Sequence, residues 1–315
     1  MSERIAVVGG AGFIGSHFVD ALLDEGNKVV VVDNFCSGTR RHLDAHNADP
    51  NLEIQSFDVE NTDRLISAFE DVATVIHLAS NPDIAKAAIE PRIDFTQGTV
   101  LTESVVEASR IAGVATILYA SGSGVYGDAG TVELNENSPL NPISTYGASK
   151  LAGESLLSSY AYMFGIRAIA FRFANVVGDM QTHGVGFDFL RRLKEDSSQL
   201  HILGDGKQSK SYVHVTDVVK AVMAAKDFSQ KAFDIFNIST ADYLSVNEIA
   251  LMAIETLGLK SSDVRLSYSG GDRGWKADVP IVRLDASKIL SRGWIPQYSS
   301  RSAMKSSLAQ MALEI

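Results

Sequence analysis

Short apolar runs alternate with helix-period segments through the first half of the chain. Runs of strand character lie at Arg4–Val8, Lys28–Val32, Leu52–Phe57, Thr74–Leu78, Thr116–Ala120 and Arg167–Phe173. Between them the apolar positions adopt helical spacing, as in Ile14, Phe18, Ala21 and Leu22 ahead of a stop at Gly26. Alternation of this kind predicts an α/β architecture with a doubly wound parallel sheet. After about Arg172 the rhythm changes. Helical patterns at Phe187–Lys194 and Thr216–Lys226 are separated by turn-rich stretches such as Gly204-Asp205-Gly206. This change predicts a first domain over residues 1–172 and a smaller α/β substrate domain over 173–315. Phe236–Ile238 reads as a strand able to return to the first domain. The chain contains no internal repeat, low-complexity tract or long linker.

The 315 residues suffice for one large domain and a smaller one, and a 45% apolar content is that of an ordinary globular protein. The net charge of −10 argues against nucleic acid or an anionic membrane as partner, since both would repel the chain. Local basic pockets for phosphate remain compatible with it. A single cysteine, Cys36, excludes an intramolecular disulfide and a multi-cysteine metal site, and no metal is expected. The apolar Ile5–Val8 comes too early for a signal peptide, and no apolar run nears the roughly 20 residues of a membrane span. A cytoplasmic location is expected.

The first chemical signal is Val8-Gly9-Gly10-Ala11-Gly12-Phe13-Ile14-Gly15, directly after the first strand and opening a helix. Gly9 suits a tight turn, Gly12 the approach of backbone amides to a pyrophosphate, and Gly15 close helix–strand packing. The helix opening at Phe13 and Ile14 offers N–H groups and a positive dipole end to phosphates. Asp33 follows at the end of the second strand, where a carboxylate accepts from ribose hydroxyls and repels a 2′-phosphate. The pattern points to NAD; Arg40 and Arg41 nearby are the residues that could instead serve NADP. Asn34 lies beside Asp33. Asp58, followed by Val59 after the third strand, reads either as an acceptor for the adenine amino group or as a solvated turn acid. Leu78, Ala79 and Ser80 end the fourth strand with small residues beside which a cofactor can lie. His77 reads as a buried structural histidine.

The second signal is Tyr146-Gly147-Ala148-Ser149-Lys150, a phenol and an ammonium at i and i+4. On a helix both project from one face. Pro139 and Pro142 mark the preceding loop, and Ser144 or Thr145 is placed to cap the helix. A tyrosine with a pKa of about 10 is a poor base at neutral pH. A nearby Lys⁺ and the positive charge of oxidised nicotinamide would favour the phenolate.

Taken together these motifs resemble the extended short-chain dehydrogenase/reductases, and within them the NAD-dependent epimerase/dehydratase family, nucleotide-sugar 4-epimerases of the UDP-glucose type in particular. The resemblance runs over essentially the whole chain. It rests on the motifs above and on Val125-Tyr126-Gly127, Arg-Phe-Ala-Asn-Val-Val-Gly at 172–178, Gly-Asp-Gly-Lys-Gln at 204–208 and Tyr-Val-His-Val-Thr-Asp at 212–217. It implies a Rossmann domain binding NAD, with Tyr146 as base and Lys150 as its partner. It also implies that Phe173 lines the nicotinamide region and that Asn175 contacts a substrate diphosphate. Lys210 stands where the family usually has an arginine, and a later phosphate-binding arginine maps to Arg273. Helices around Ile93–Ala112 and Tyr146–Met163 correspond to those that family members pair into a homodimer.

One departure stands out in Ala120-Ser121-Gly122-Ser123-Gly124-Val125-Tyr126-Gly127. The family's catalytic Ser or Thr falls on Gly122 here. Ser121 and Ser123 flank it; either hydroxyl could reach the substrate, with Ser123 favoured, or both could satisfy backbone groups in a turn. Nucleotide-sugar 4,6-dehydratases carry an acid pair in this stretch and the related decarboxylases a glutamate. Ser123-Gly124 offers neither, which disfavours elimination. The expected activity is epimerisation at C4 of a nucleotide-linked sugar, most simply a UDP-sugar, through a 4-keto intermediate. A net dehydrogenase and a non-catalytic NAD-sensing protein are the alternatives.

Overall fold

The computed structural model describes residues 2–315, the side chains of residues 84 and 85 excepted. Among the described residues a seven-stranded sheet is built from β1 (Arg4–Val8), β2 (Lys28–Asp33), β3 (Leu52–Ser56), β4 (Thr74–His77), β5 (Thr116–Gly122), β6 (Arg167–Phe173) and the strand Phe233–Ile238. Its order is Phe233–Ile238, β6, β5, β4, β1, β2, β3. The pairs β1–β2, β1–β4, β2–β3 and β4–β5 are parallel, with Val8 opposite both Val32 and His77. Such strands are covered on both faces, which is why Ile5–Val8 and Val29–Val32 are unbroken apolar runs, all of them buried.

The helices of this region are α1 (Phe13–Asp24), α2 (Thr62–Ala68), α3 (Leu101–Ala112) and α4 (Thr145–Phe164). Ser144 caps α4, its hydroxyl accepting from Gly147 N–H at 3.0 Å, and left-handed Gly165 ends it. The expected single helix over Ile93–Ala112 is instead a π-helical segment, Phe95–Val100, leading into α3. A Cβ at Gly98 would press on the Ser149 side chain, so this widened turn lies directly against the start of α4. The chain order changes direction between β1 and β4, both starting from the sheet's middle. A crevice at the carboxyl ends of such strands is where doubly wound sheets bind ligands.

The chain divides into two compact units. The first comprises Met1–Val125, Ser144–Arg172 and Val219–Phe236; the second comprises Tyr126–Ile143, Phe173–Val218 and Asn237–Ile315. The division is therefore interleaved, where the sequence suggested one cut at residue 172. The cause is the edge strand Phe233–Ile238, which adds beside β6 and draws the chain back into the sheet. The second unit packs α5 (Val185–Glu195) with helices Val246–Thr256 and Ser300–Glu314 around Leu190, Leu193, Ile249, Met304 and Leu308. Short paired strands complete it, among them Asn175–Val177 with Tyr212–His214. None of the helices among the described residues is long and apolar enough to cross a membrane.

One polar group is sealed inside the first unit. Arg172 at the end of β6 meets Glu154 of α4 through two contacts, at 2.9 and 2.7 Å. Both side chains are almost fully buried, and Ser121 of β5 donates to the same carboxylate at 2.6 Å. Glu154→Ala is expected to lower unfolding stability by about 3–5 kcal/mol, because it removes the carboxylate that pairs with a buried guanidinium. The double variant Glu154→Leu/Arg172→Met should recover most of that loss. Urea titration followed by far-ultraviolet circular dichroism checks both, since Trp275 and Trp294 lie in the other unit.

Candidate active site

The turn after β1 is shaped by two close approaches. Gly9 has φ +84°, and a Cβ on it would stand 2.8 Å from the Ala79 nitrogen. A Cβ on Gly15 would collide with the Gly9 carbonyl oxygen. These contacts fold the loop tightly over the ends of β1 and β4. Gly12 is the N-cap of α1 and brings no side-chain acceptor, so the first-turn N–H groups of Phe13 and Ile14 are left for an external anion.

Asp33 fixes the loop from the next strand. Its carboxylate accepts from Ala11 N–H at 2.9 Å and from Phe35 N–H at 2.8 Å. Burial raises its pKa, and these two bonds and His42 oppose that. Each oxygen keeps a further lone pair for a hydroxyl donor. Arg40 stacks over the Phe35 ring at 4.4 Å, an occupation that competes with service to a 2′-phosphate. Asn34 donates to Asp58 at 3.1 Å, and Asp58 also accepts from Glu60 N–H at 3.0 Å. Val59 is buried. An open helix terminus, a buried strand-end carboxylate and a glycine cradle together fit a dinucleotide, with Leu78, Ala79 and Ser80 beside them after β4.

His77 is fully buried and its Nε2 lies 3.1 Å from the Thr102 hydroxyl. Desolvation first, then the Lys150 charge, lower its pKa to about 3, so it stays neutral. It is a core residue.

Tyr146 and Lys150 lie one turn apart on α4, the lysine nitrogen 5.5 Å from the phenol ring centre. Lys150 is 3% exposed, donates to the Ala120 carbonyl at 2.8 Å and sits 5.2 Å from the Tyr119 ring. Burial lowers its pKa to about 8, while Asp94 pulls it upward. Burial pushes the Tyr146 phenol up to about 12, opposed by the nearby Ser80 hydroxyl and reinforced by Asp94. The lowering expected from Lys150 does not register, and desolvation sets the direction when only the protein's own groups act. The positive charge of an oxidised nicotinamide is the influence still to be added.

The serines around Gly122 separate. Ser121 is buried and its proton is committed to Glu154, which makes it a structural residue instead of the expected substrate contact. Ser123 opens a 3-10 turn, half-buried, and its hydroxyl has no hydrogen-bond partner among the described residues. No atom lies within 4 Å of where a Cβ on Gly122 would stand.

In the second unit the expected substrate residues also cluster. Asn175 is the strand partner of buried Tyr212, whose pKa burial raises and Asn175 lowers. Lys210 pairs with Asp278 at 2.8 Å and lies 5.3 Å from the Trp275 ring. Arg273 bonds the Asp278 carbonyl and the Asp128 carboxylate. The two cations expected to stand ready for a diphosphate are therefore each already paired with an acid. Phe173 is buried at the end of β6. Asp94, Glu154, Arg172, Asp128 and Asp278 were not singled out from sequence. Glu154 had one available signal, four residues beyond Lys150 on the same helical face.

NAD is expected to bind at least tenfold more tightly than NADP, about 1.4 kcal/mol, by titration calorimetry on stripped protein. Asp33→Asn should bring the two affinities together, because it removes the charge that repels the 2′-phosphate.

The sequence matches the NAD dependent epimerase/dehydratase family over residues 5–239. A UDP-glucose 4-epimerase of Lacticaseibacillus casei is 30% identical over 325 residues, covering 92% of this chain and 95% of that protein. Among solved structures, a UDP-galactose 4-epimerase superposes with a TM-score of 0.88 at 37% identity, covering 99% of both chains. The Thermus thermophilus UDP-glucose 4-epimerase in complex with NAD gives 0.87 at 27% identity, covering 98% of both. The glycine cradle, the strand-end aspartate and the Tyr146–Lys150 pair agree with that likeness, and the chain belongs to the NAD-dependent epimerase/dehydratase family.

Proposed function

We propose that this protein is an NAD-dependent 4-epimerase of a UDP-linked sugar. The observation that carries the reading is the Tyr146–Lys150 pair on α4, its lysine donating to Ala120 of β5, with no carboxylate at Ser123-Gly124 after that strand. Such a site can exchange a proton with a hydroxyl but lacks the acid and base that elimination requires. Similarity to epimerases of UDP-glucose and UDP-galactose supports the substrate class.

When bound, NAD supplies the acceptor, and after it the donor, of the C4 hydrogen as hydride. Gly9, Gly12, Gly15 and the amides of Phe13 and Ile14 would hold its pyrophosphate, Asp33 and Asn34 its ribose, and Asp58 and Val59 its adenine. Leu78, Ala79, Ser80 and Phe173 would line its path. Tyr146 removes the C4 hydroxyl proton as the 4-keto sugar forms, and returns it to the oxygen when the opposite face is reduced. Lys150 keeps positive charge beside the phenolate. Ser123, with its hydroxyl unengaged, is the proposed contact to the C4 oxygen. Asn175, Lys210 and Arg273 would bind the diphosphate, which must share the two cations with Asp278 and Asp128.

This reading places the enzyme in the cytoplasm as a homodimer. Support for the dimer comes from exposed Ile111 at the end of α3 and exposed Tyr162, Met163 and Phe164 at the end of α4. An apolar patch of this kind on neighbouring helices suits a two-fold interface.

Turnover with UDP-glucose or UDP-galactose should interconvert the two without stoichiometric NADH in solution, followed by reduced-nicotinamide absorbance beside product chromatography. One NADH released per sugar would make the protein a dehydrogenase. Tyr146→Phe should lower kcat by on the order of 10²-fold or more with substrate affinity nearly unchanged.

A further inference from the structure

Lys150 is an ammonium flanked by two aromatic rings. It is almost fully buried and donates to the Ala120 carbonyl at 2.8 Å. Its nitrogen stands 5.2 Å from the centre of the Tyr119 ring and 5.5 Å from that of Tyr146. Both distances fall within the roughly 6 Å at which a cation is drawn to a ring face. Tyr146 has its place as the expected base, but Tyr119 has none in the proton transfer. It comes from β5, is 1% exposed, and its hydroxyl has no hydrogen-bond partner among the described residues. A buried phenol ordinarily finds one. What Tyr119 offers Lys150 is its ring.

The seat of that ring is defined on two sides. A Cβ on Gly153, three residues beyond Lys150 on α4, would collide with the Tyr119 hydroxyl, so glycine is what lets the phenol lie against the helix. His77 packs on the same ring, with centroids 5.4 Å apart and planes inclined at 35°, and its Nε2 lies 3.1 Å from the Thr102 hydroxyl. Because His77 is neutral, it adds no charge to repel the ammonium.

We infer that Tyr119 is a positioning residue whose ring face holds the Lys150 ammonium beside Tyr146 and favours its charged form. The inference deepens the epimerase reading and rests on Lys150 serving that reaction as a cation. Burial drives the ammonium toward its neutral form, because a buried charge loses its hydration. A ring face returns part of that loss. A carboxylate also holds Lys150 charged, but it pushes the Tyr146 phenol up, as Asp94 does. Burial pushes the Tyr119 phenol up as well, so this ring stays neutral and brings no such charge.

The titratable groups around Lys150 are Tyr146 on its own helix, Tyr119 from β5, neutral His77 from β4 and Asp94 from the segment before α3. Glu154, one turn further along α4, is committed to Arg172 and Ser121. The Lys150 pKa lies at about 8. The ring acts to raise it, so weakening the ring lowers it further.

The experiment reads Lys150 directly. NAD-stripped protein with carbon-13 at the lysine Cε positions is titrated by NMR, the Lys150 signal being assigned through Lys150→Arg. Tyr119→Leu should lower the Lys150 pKa by about one unit, and Tyr119→Phe should restore it. Trifluorophenylalanine in place of Tyr119 keeps nearly the shape of the Tyr119→Phe side chain but removes the negative ring face. It should lower the pKa as Tyr119→Leu does, and it decides alone if circular dichroism shows Tyr119→Leu unfolded. In NAD-loaded enzyme turning over UDP-galactose, the descending limb of the kcat–pH profile should move to lower pH in the same two variants. A pKa that falls in Tyr119→Leu but not on ring fluorination would overturn the inference, since packing alone would then account for it. So would a pKa unmoved in both. A lowered pKa in a protein that does not interconvert UDP-glucose and UDP-galactose upholds the ring assignment and removes the epimerase reading. Interconversion with an unmoved pKa does the reverse.

Discussion

The ion pair between Glu154 and Arg172 is the interaction on which the geometry of the first unit turns. It joins α4 to β6 inside the core, and Ser121 adds β5 to the same carboxylate. Each charge alone would be intolerable at that depth, so the three elements have one low-energy arrangement. That arrangement sets the end of β5, where Gly122 and Ser123 begin the site loop. It also sets the rotation of α4, whose earlier turns carry Lys150 and Tyr146. Lys150 repeats the logic one turn back by donating to the Ala120 carbonyl. The face of α4 that carries Tyr146 and Lys150 is thus positioned by contacts made on its buried side.

The same burial governs the chemistry. Desolvation raises the phenol and lowers the ammonium, to about 12 and about 8, drawing their pKa values toward forms that carry no charge. A phenol so placed stays protonated at neutral pH, while the ammonium stays largely charged. Asp94 helps to hold Lys150 charged and pushes the phenol further up. Were Tyr146 to act as the base, the positive charge of an oxidised nicotinamide is the influence that would favour its phenolate.

In the second unit, positive charge is held under restraint. Lys210 and Arg273 both converge on Asp278, and Asp128 takes the remaining guanidinium face. Pairing keeps these side chains ordered before any ligand arrives, which reduces the entropy lost on binding. It also sets a threshold, because an anion must offer enough charge and geometry to share the cations with two carboxylates. A diphosphate meets that requirement better than a monoanion does.

Much of this was determined by the sequence alone. Unbroken apolar strands, helix-period segments between them and the glycine spacing at 9, 12 and 15 defined the sheet and the tight turn after β1. Periodicity and turn chemistry are local properties, so they survive reading in one dimension. The Tyr146–Lys150 pair was legible for the same reason, since i and i+4 share a helix face wherever the helix lies. What only tertiary structure decided is what distant segments bring to one another. Asp94 reaches Asn81 and Thr145 across 13 and 51 residues, and Ser121 reaches Glu154 across 33. No spacing rule announces such contacts. The sequence offered Phe236–Ile238 as a returning strand, but only the structure placed Phe233–Ile238 at the sheet edge beside β6 and so interleaved the units. The protonation of Tyr146 was decided there too, because desolvation depends on everything packed around a group and not on its neighbours in sequence.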